Sequence, residues 1–110
     1  MNSWNDCLDF SYGDYFLSNL NLSKCDDKAV SIGEAAKLEM NKFFIKESNI
    51  GIASKDSATV NSTDCSIEKV KNCLSLYKKK QEFNGGKINF KNVICNKEFY
   101  NDEYSIITRN

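Results

Sequence analysis

The chain has 110 residues, 41% of them hydrophobic and 27% charged, the make-up of a single globular domain over residues 1–110. It holds five cysteines and no histidine, which excludes imidazole general bases, Cys-His and Ser-His nucleophile pairs, and histidine-containing zinc or iron sites. Fifteen acids cancel fifteen bases and no apolar run approaches the roughly 18 residues of a bilayer span, so neither nucleic acid nor membrane insertion is expected.

In chain order, the first segment reads as a helix. Ser3 caps it with Asp6 three residues on, and Trp4, Cys7, Leu8, Tyr12, Tyr15, Phe16 and Leu20 follow helical spacing. Residues 19–27 are polar and read as a loop. Ser31-Ile32-Gly33-Glu34 has the form of a capping box. The helix it opens places Ile32, Ala36, Met40, Phe43 and Phe44 on one face and ends near Ser48-Asn49.

Residues 48–64 form a polar, small-residue stretch, longer than most loops in compact domains and for that reason the leading candidate for partner contact. A third helix starts near Asp64 or Ser66 and carries Ile67, Val70, Cys73, Leu74 and Tyr77 at spacings of three or four. Lys78-Lys79-Lys80, the one basic cluster, reads as its solvated end, with a phosphate or RNA site as the alternative. Asn84-Gly85-Gly86 breaks the chain. Beyond it, Ile88 and Phe90 alternate like a strand, but Val93, Ile94, Tyr100, Tyr104 and Ile107 fit helical spacing. One or two short helices are favoured there, with a β-hairpin turning at Asn101-Asp102 as the alternative. No internal repeat stands out. The expected fold is therefore mainly α, a small single-domain helical bundle with disulfides, or else α+β with a C-terminal hairpin.

Cys7, Cys25, Cys65, Cys73 and Cys95 show no C-x-x-C spacing, which argues against redox motifs and zinc ribbons. Two disulfides and one free thiol in an oxidising compartment account for them better than five reduced core cysteines. Cys73 with Cys95 is one candidate pair, across consecutive helices joined by the double-glycine turn. Cys7 with Cys25 or Cys65 is open. The residues after Met1 hold neither a basic nor an apolar leader segment, so export implies a signal peptide already removed.

No constellation points to chemistry. A cysteine nucleophile lacks a base, the acids Asp6, Asp9, Glu98, Asp102 and Glu103 read as surface charge rather than a tuned pair, and Gly85-Gly86-Lys87 is not a phosphate loop. No catalytic residue, metal site or cofactor is expected, and the chain reads as a binding module rather than an enzyme. Charge is uneven: residues 1–40 hold seven acids and three lysines, residues 41–110 twelve bases and eight acids.

Several fragments carry a resemblance. They are Leu76-Tyr77-Lys78-Lys79-Lys80, Gly85-Gly86-Lys87-Ile88-Asn89-Phe90, Cys95 with Asn96-Lys97-Glu98-Phe99, Trp4-Asn5-Asp6-Cys7-Leu8 and the Ala35-Ala36 step. Together they resemble the immunity proteins that neutralise type VI secretion peptidoglycan amidases of the fourth class. The resemblance implies a mostly helical periplasmic domain, often a homodimer, whose projecting loop enters the cleft of a cognate toxin. Carried over, Ser54, Lys55, Asp56 and Ser57 belong to that projecting segment. The expected function is thus a periplasmic inhibitor of an amidase effector. The alternatives are a cytoplasmic immunity protein against a contact-delivered nuclease, with all cysteines reduced, and a small secreted adaptor or structural domain.

Overall fold

Leu8, Val30, Ile52, Leu74 and Phe99 stand directly above one another in a single column of paired strands. That column defines the molecule. The structure is a computed structural model that describes residues 6–95 and 98–109, with the side chain of Glu98 left aside. Its elements are β1 (Leu8–Ser11), β2 (Asp14–Gly33), β3 (Lys37–Lys55), β4 (Thr59–Tyr77), β5 (Lys87–Ile94), β6 (Glu98–Asn101) and β7 (Ile106–Arg109). All pair in parallel, in the order β1-β2-β3-β4-β5-β7, with β6 on β4. The chain winds as a parallel β-solenoid of about four turns.

Each long strand is bent, and the bends follow a rule. Asn19, Lys42, Asp64 and Asn92 have φ of 57°, 59°, 56° and 55°; Lys24, Glu47 and Lys69 have 55°, 60° and 55°. The left-handed region turns the chain without ending its ladder. Asn and Asp tolerate it better than most residues. A third corner falls between strands, at Glu34-Ala35 and Asp56-Ser57. The cross-section therefore has three sides. The first face is residues 14–18, 37–41, 59–63, 87–91 and 106–109. The second is 20–23, 43–46, 65–68 and 93–94. The third is 25–33, 48–55 and 70–77, with β1 and β6 at its two ends.

Inward side chains stack in apolar columns. Tyr15, Leu38, Val60, Ile88 and Ile107 form one, and Leu22, Ile45 and Ile67 another. Leu38, Ile45, Ile52, Val60, Leu74 and Ile88 are fully buried. At about 25 cal/mol per Å² this stacking is the principal term holding the coils together. Polar ladders add to it: Asn89 Nδ2 donates to Asn61 Oδ1 at 2.9 Å and Asn92 Nδ2 to Asp64 Oδ1 at 3.0 Å. On the third face both parities are buried, Ser31 and Ala53 as well as Val30 and Ile52. Parallel strands covered on both sides read as continuous small and apolar runs rather than alternations.

The helical expectations are corrected throughout. The bundle does not form, because the apolar residues spaced by three straddle corners: Ile67 and Val70 lie on either side of Lys69, both turned to the core. The capping box is absent, since Ser31 lies within β2 and Glu34 sits at a corner. The α+β alternative fails as well. β6 pairs with β4 and β7 with β5, so residues 98–109 make no hairpin. Residues 48–64 are not a loop but the end of β3, a corner and the start of β4. A repeat is present: equivalent first-face residues Asp14, Lys37, Thr59, Lys87 and Ile106 fall 23, 22, 28 and 19 apart. Ser3, Trp4, Asn5, Asn96 and Lys97, used in the first helix and the resemblance, lie outside the described residues.

Candidate interaction surface

The third coil is the longest, and its surplus lies at the third corner. Residues 78–84 leave the ladder there, and their amides need acceptors. Asp56, fully buried, supplies one: its Oδ1 accepts from the amides of Lys79 at 2.7 Å and Lys80 at 2.8 Å. The Ser57 hydroxyl accepts from the Asn84 amide at 2.8 Å, and the Ser57 amide donates to the Asn84 carbonyl at 2.9 Å. Ser54, also buried, donates its hydroxyl to the Ala58 or Lys87 carbonyl at 3.3 Å. Lys55 extends along the third face over Gly33. Ser54, Lys55, Asp56 and Ser57 therefore do not project. They anchor the segment that does, in which Lys79, Lys80, Gln81, Glu82 and Asn84 are exposed.

From the following coil, Asp102 Oδ2 accepts from the Lys78 amide at 2.7 Å, while Oδ1 accepts from the Ser105 hydroxyl at 2.7 Å and the Tyr104 amide at 3.0 Å. Burial pushes this carboxyl up, but the Ser105 hydroxyl and the two amides outweigh it and hold it below its ordinary value. A carboxylate depressed in the folded state contributes stability above its unfolded pKa and loses it as pH falls through the folded value. Urea midpoints should therefore drop as pH goes from roughly 5 to roughly 2. The Asp102→Asn protein should be less stable at neutral pH and show a shallower drop. Parallel curves for the two proteins would contradict this.

Beside the loop lies the outer side of the first face. Its columns are Asp14-Lys37-Thr59-Lys87-Ile106, Phe16-Glu39-Asn61-Asn89-Thr108 and Ser18-Asn41-Thr63-Lys91. Phe16 is 67% exposed and borders two shallow depressions. One, about 340 Å³, is lined by Asp14, Lys37, Glu39, Thr59 and Asn61; the other, about 240 Å³, by Glu39, Asn41, Asn61 and Thr63. The loop edge adds Tyr12, 56% exposed, and Glu34, bridged to Lys80 Nζ at 3.2 Å. An exposed aromatic ringed by Asn, Thr and charged side chains has the composition of a protein-binding patch.

Other parts of the molecule offer less. A wider concavity of about 840 Å³ follows the second corner, but its charged lining is mixed, Lys24, Lys69 and Lys71 against Asp26 and Glu47, and favours no one sign of ligand. Cys65 is the free cysteine and is buried. Burial pushes its thiol up, against a lowering contact with Ser62 at 2.8 Å, so it is not poised as a nucleophile. Among the described residues no His, Cys, Asp and Glu group could hold a metal ion.

Disulfides join Cys7 to Cys25 and Cys73 to Cys95, with Cα separations of 5.5 and 6.3 Å. The second joins β4 to the residue just after β5, not the consecutive helices that the spacing suggests. Each bridge fastens a terminal coil to its neighbour, where a solenoid has fewest contacts. Two disulfides mark a chain that matures in an oxidising compartment. Among the described residues no helix is long and apolar enough to cross a membrane. No family model, curated protein or solved structure matches the chain.

Of the first face, the polar stretch 48–64 takes in Thr59, Asn61 and Thr63, whereas helical spacing turns Phe16 towards a core and hides it. The loop had a signal: Lys78 to Glu82 holds no apolar residue and runs into Asn84-Gly85-Gly86.

Proposed function

We propose that this protein is a non-enzymatic inhibitor that binds a bacterial toxin through the first face and the 78–84 loop. The observation that carries the reading is Phe16, two-thirds exposed on the end coil of a polar, ladder-stiffened surface and lining both of its depressions. Fixed strands present it at little entropic cost on binding. Five residues along a strand and five rungs across give the face roughly 16 by 20 Å. That is well below the ~800 Å² each partner of a stable complex buries, so the loop and Tyr12 must join the contact. The lysines of the loop suit an acidic rim around the partner's cleft.

The target we name is a peptidoglycan amidase effector of the type VI class, met in the periplasm. The two bridges support that compartment over the reducing cytoplasm of a nuclease inhibitor. The choice of toxin rests on the sequence fragments alone, because the helical fold implied by the resemblance is not the one formed.

The test is titration of the co-encoded toxin with this protein, by calorimetry and by peptidoglycan hydrolysis. Complex formation with loss of hydrolysis is expected. Phe16→Ala should weaken binding at least tenfold, as truncating an aromatic anchor costs about 2 kcal/mol. Lys79→Glu with Lys80→Glu should slow association chiefly. No binding at micromolar concentration would remove the reading.

A further inference from the structure

The two ends of the solenoid are stepped, and the steps are complementary. At the C-terminal end, β7 stands on the first face one rung beyond β5. On the third face β6 is the last rung among the described residues. At the other end, β1 stands on the third face one rung before β2. Below residues 14–18 no strand stands among the described residues. Among the described residues, one end thus carries a coil with a first side and no third, and the other a coil with a third side and no first.

We propose that a second copy of this chain docks end to end, so that β7 of one molecule and β1 of the next supply the first and third sides of one composite coil. A single displacement satisfies both faces. Moving a copy five rungs along the axis sets residues 14–17 beside β7 and β1 beside β6. The columns continue without a change of chemistry. Ile107 meets Tyr15, following Val60 and Ile88, and Phe99 meets Leu8, following Ile52 and Leu74.

Three further observations favour this occupant. The inward side chains at both ends, Tyr15, Leu17 and Leu20 at one and Val93, Phe99 and Ile107 at the other, are only partly buried. Buried positions of the same columns in the middle coils are near zero exposure. The ends also differ in charge. Residues 6–36 carry six acids and two lysines, residues 87–109 four bases and three acids, so a head-to-tail contact is attractive and a head-to-head contact at the acidic end is not. Arg109, whose guanidinium lies 5.0 Å from the Phe90 ring centre and 6.0 Å from that of Phe99, puts a cation on the surface that would meet the acidic end. Free parallel edges are templates for further pairing. Because the contact joins two different surfaces, it is heterologous and does not stop at a dimer.

Directional cross-linking of the whole chain tests this. In the stack, Ile106 of one copy lies beside Asp14 of the next, both facing outward, at the ~4.8 Å strand spacing that a disulfide accepts. An equimolar mixture of Ile106→Cys and Asp14→Cys proteins under mild oxidation should cross-link at least tenfold faster than either protein alone. Unmodified protein should sediment faster as its concentration rises, with no plateau at a dimer, and more slowly again when salt is added. Equal cross-linking rates in mixture and single variants would overturn the proposal. If the cysteine variants do not fold, sedimentation decides: a monomer at every concentration up to millimolar overturns it.

Discussion

Reducing both disulfides should lower the unfolding free energy by roughly 6 kcal/mol, about 3 for each bridge at separations of 18 and 22 residues. Small domains are stable by only about 5–15 kcal/mol in total, so reduction should remove roughly 40% or more of the total stability. The effect is large because of where the bridges sit. Cys7–Cys25 holds β1 to the first full coil, and Cys73–Cys95 holds the last coil to the one before it. An internal coil has neighbours on both sides; a terminal one does not. Urea titrations with and without reductant measure the difference, and hydrogen exchange should show protection lost first in β1, β6 and β7. Coincident urea curves would mean that the bridges are dispensable.

Gly86→Ala should cost about 3 kcal/mol, the upper part of the usual overpacking range. A Cβ at this position would run into the Ser54 carbonyl group, and its hydroxyl oxygen lies 2.8 Å away. Neither side can retreat. Ser54 is fully buried in β3, and the Gly86 amide donates to the Ser105 hydroxyl at 3.0 Å while its carbonyl accepts from the Ile106 amide at 3.0 Å. Gly33→Ala is the matched control. Its Cβ would meet only the Lys55 side chain, at 3.0 Å, and a lysine stem can move aside, so the cost should stay below about 1 kcal/mol. Equal losses for the two variants would contradict the packing of the third corner.

What the sequence shows, and what it hides, follows from the corners. Along β3 the buried inward residues run Leu38, Met40, Phe43, Ile45: steps of two within a face and three across Lys42. A mixture of twos and threes imitates helical spacing, which is why Ile67, Val70 and Cys73 read as one helix face. Ile88 and Phe90 lie between corners, and there the alternation showed a strand, now β5. The repeat escaped because its columns share polarity rather than identity: Tyr15, Leu38, Val60, Ile88. The surplus residues at 78–84 then broke its phase. The signals available were left-handed formers at the same corner of three of the four coils, Asn19, Asp64 and Asn92, together with apolar columns about 22 residues apart. On the site, composition marked residues 48–64 as a polar loop, and of that stretch only the corner at Asp56-Ser57 leaves the strands. Composition had no means of showing that their oxygens point at the loop's amides. Phe16 was hidden for the opposite reason, as an apolar residue on the solvent side of an end coil.

The account stands on the stacking of coils, because the first face, the anchored loop and the stepped ends exist only if it occurs. Nuclear Overhauser contacts of Ile52 test it most directly. The account predicts backbone contacts from Ile52 to both Val30 and Leu74, one rung away on either side. Sequential helical contacts through residues 66–77, with none between Ile52 and Leu74, would contradict it.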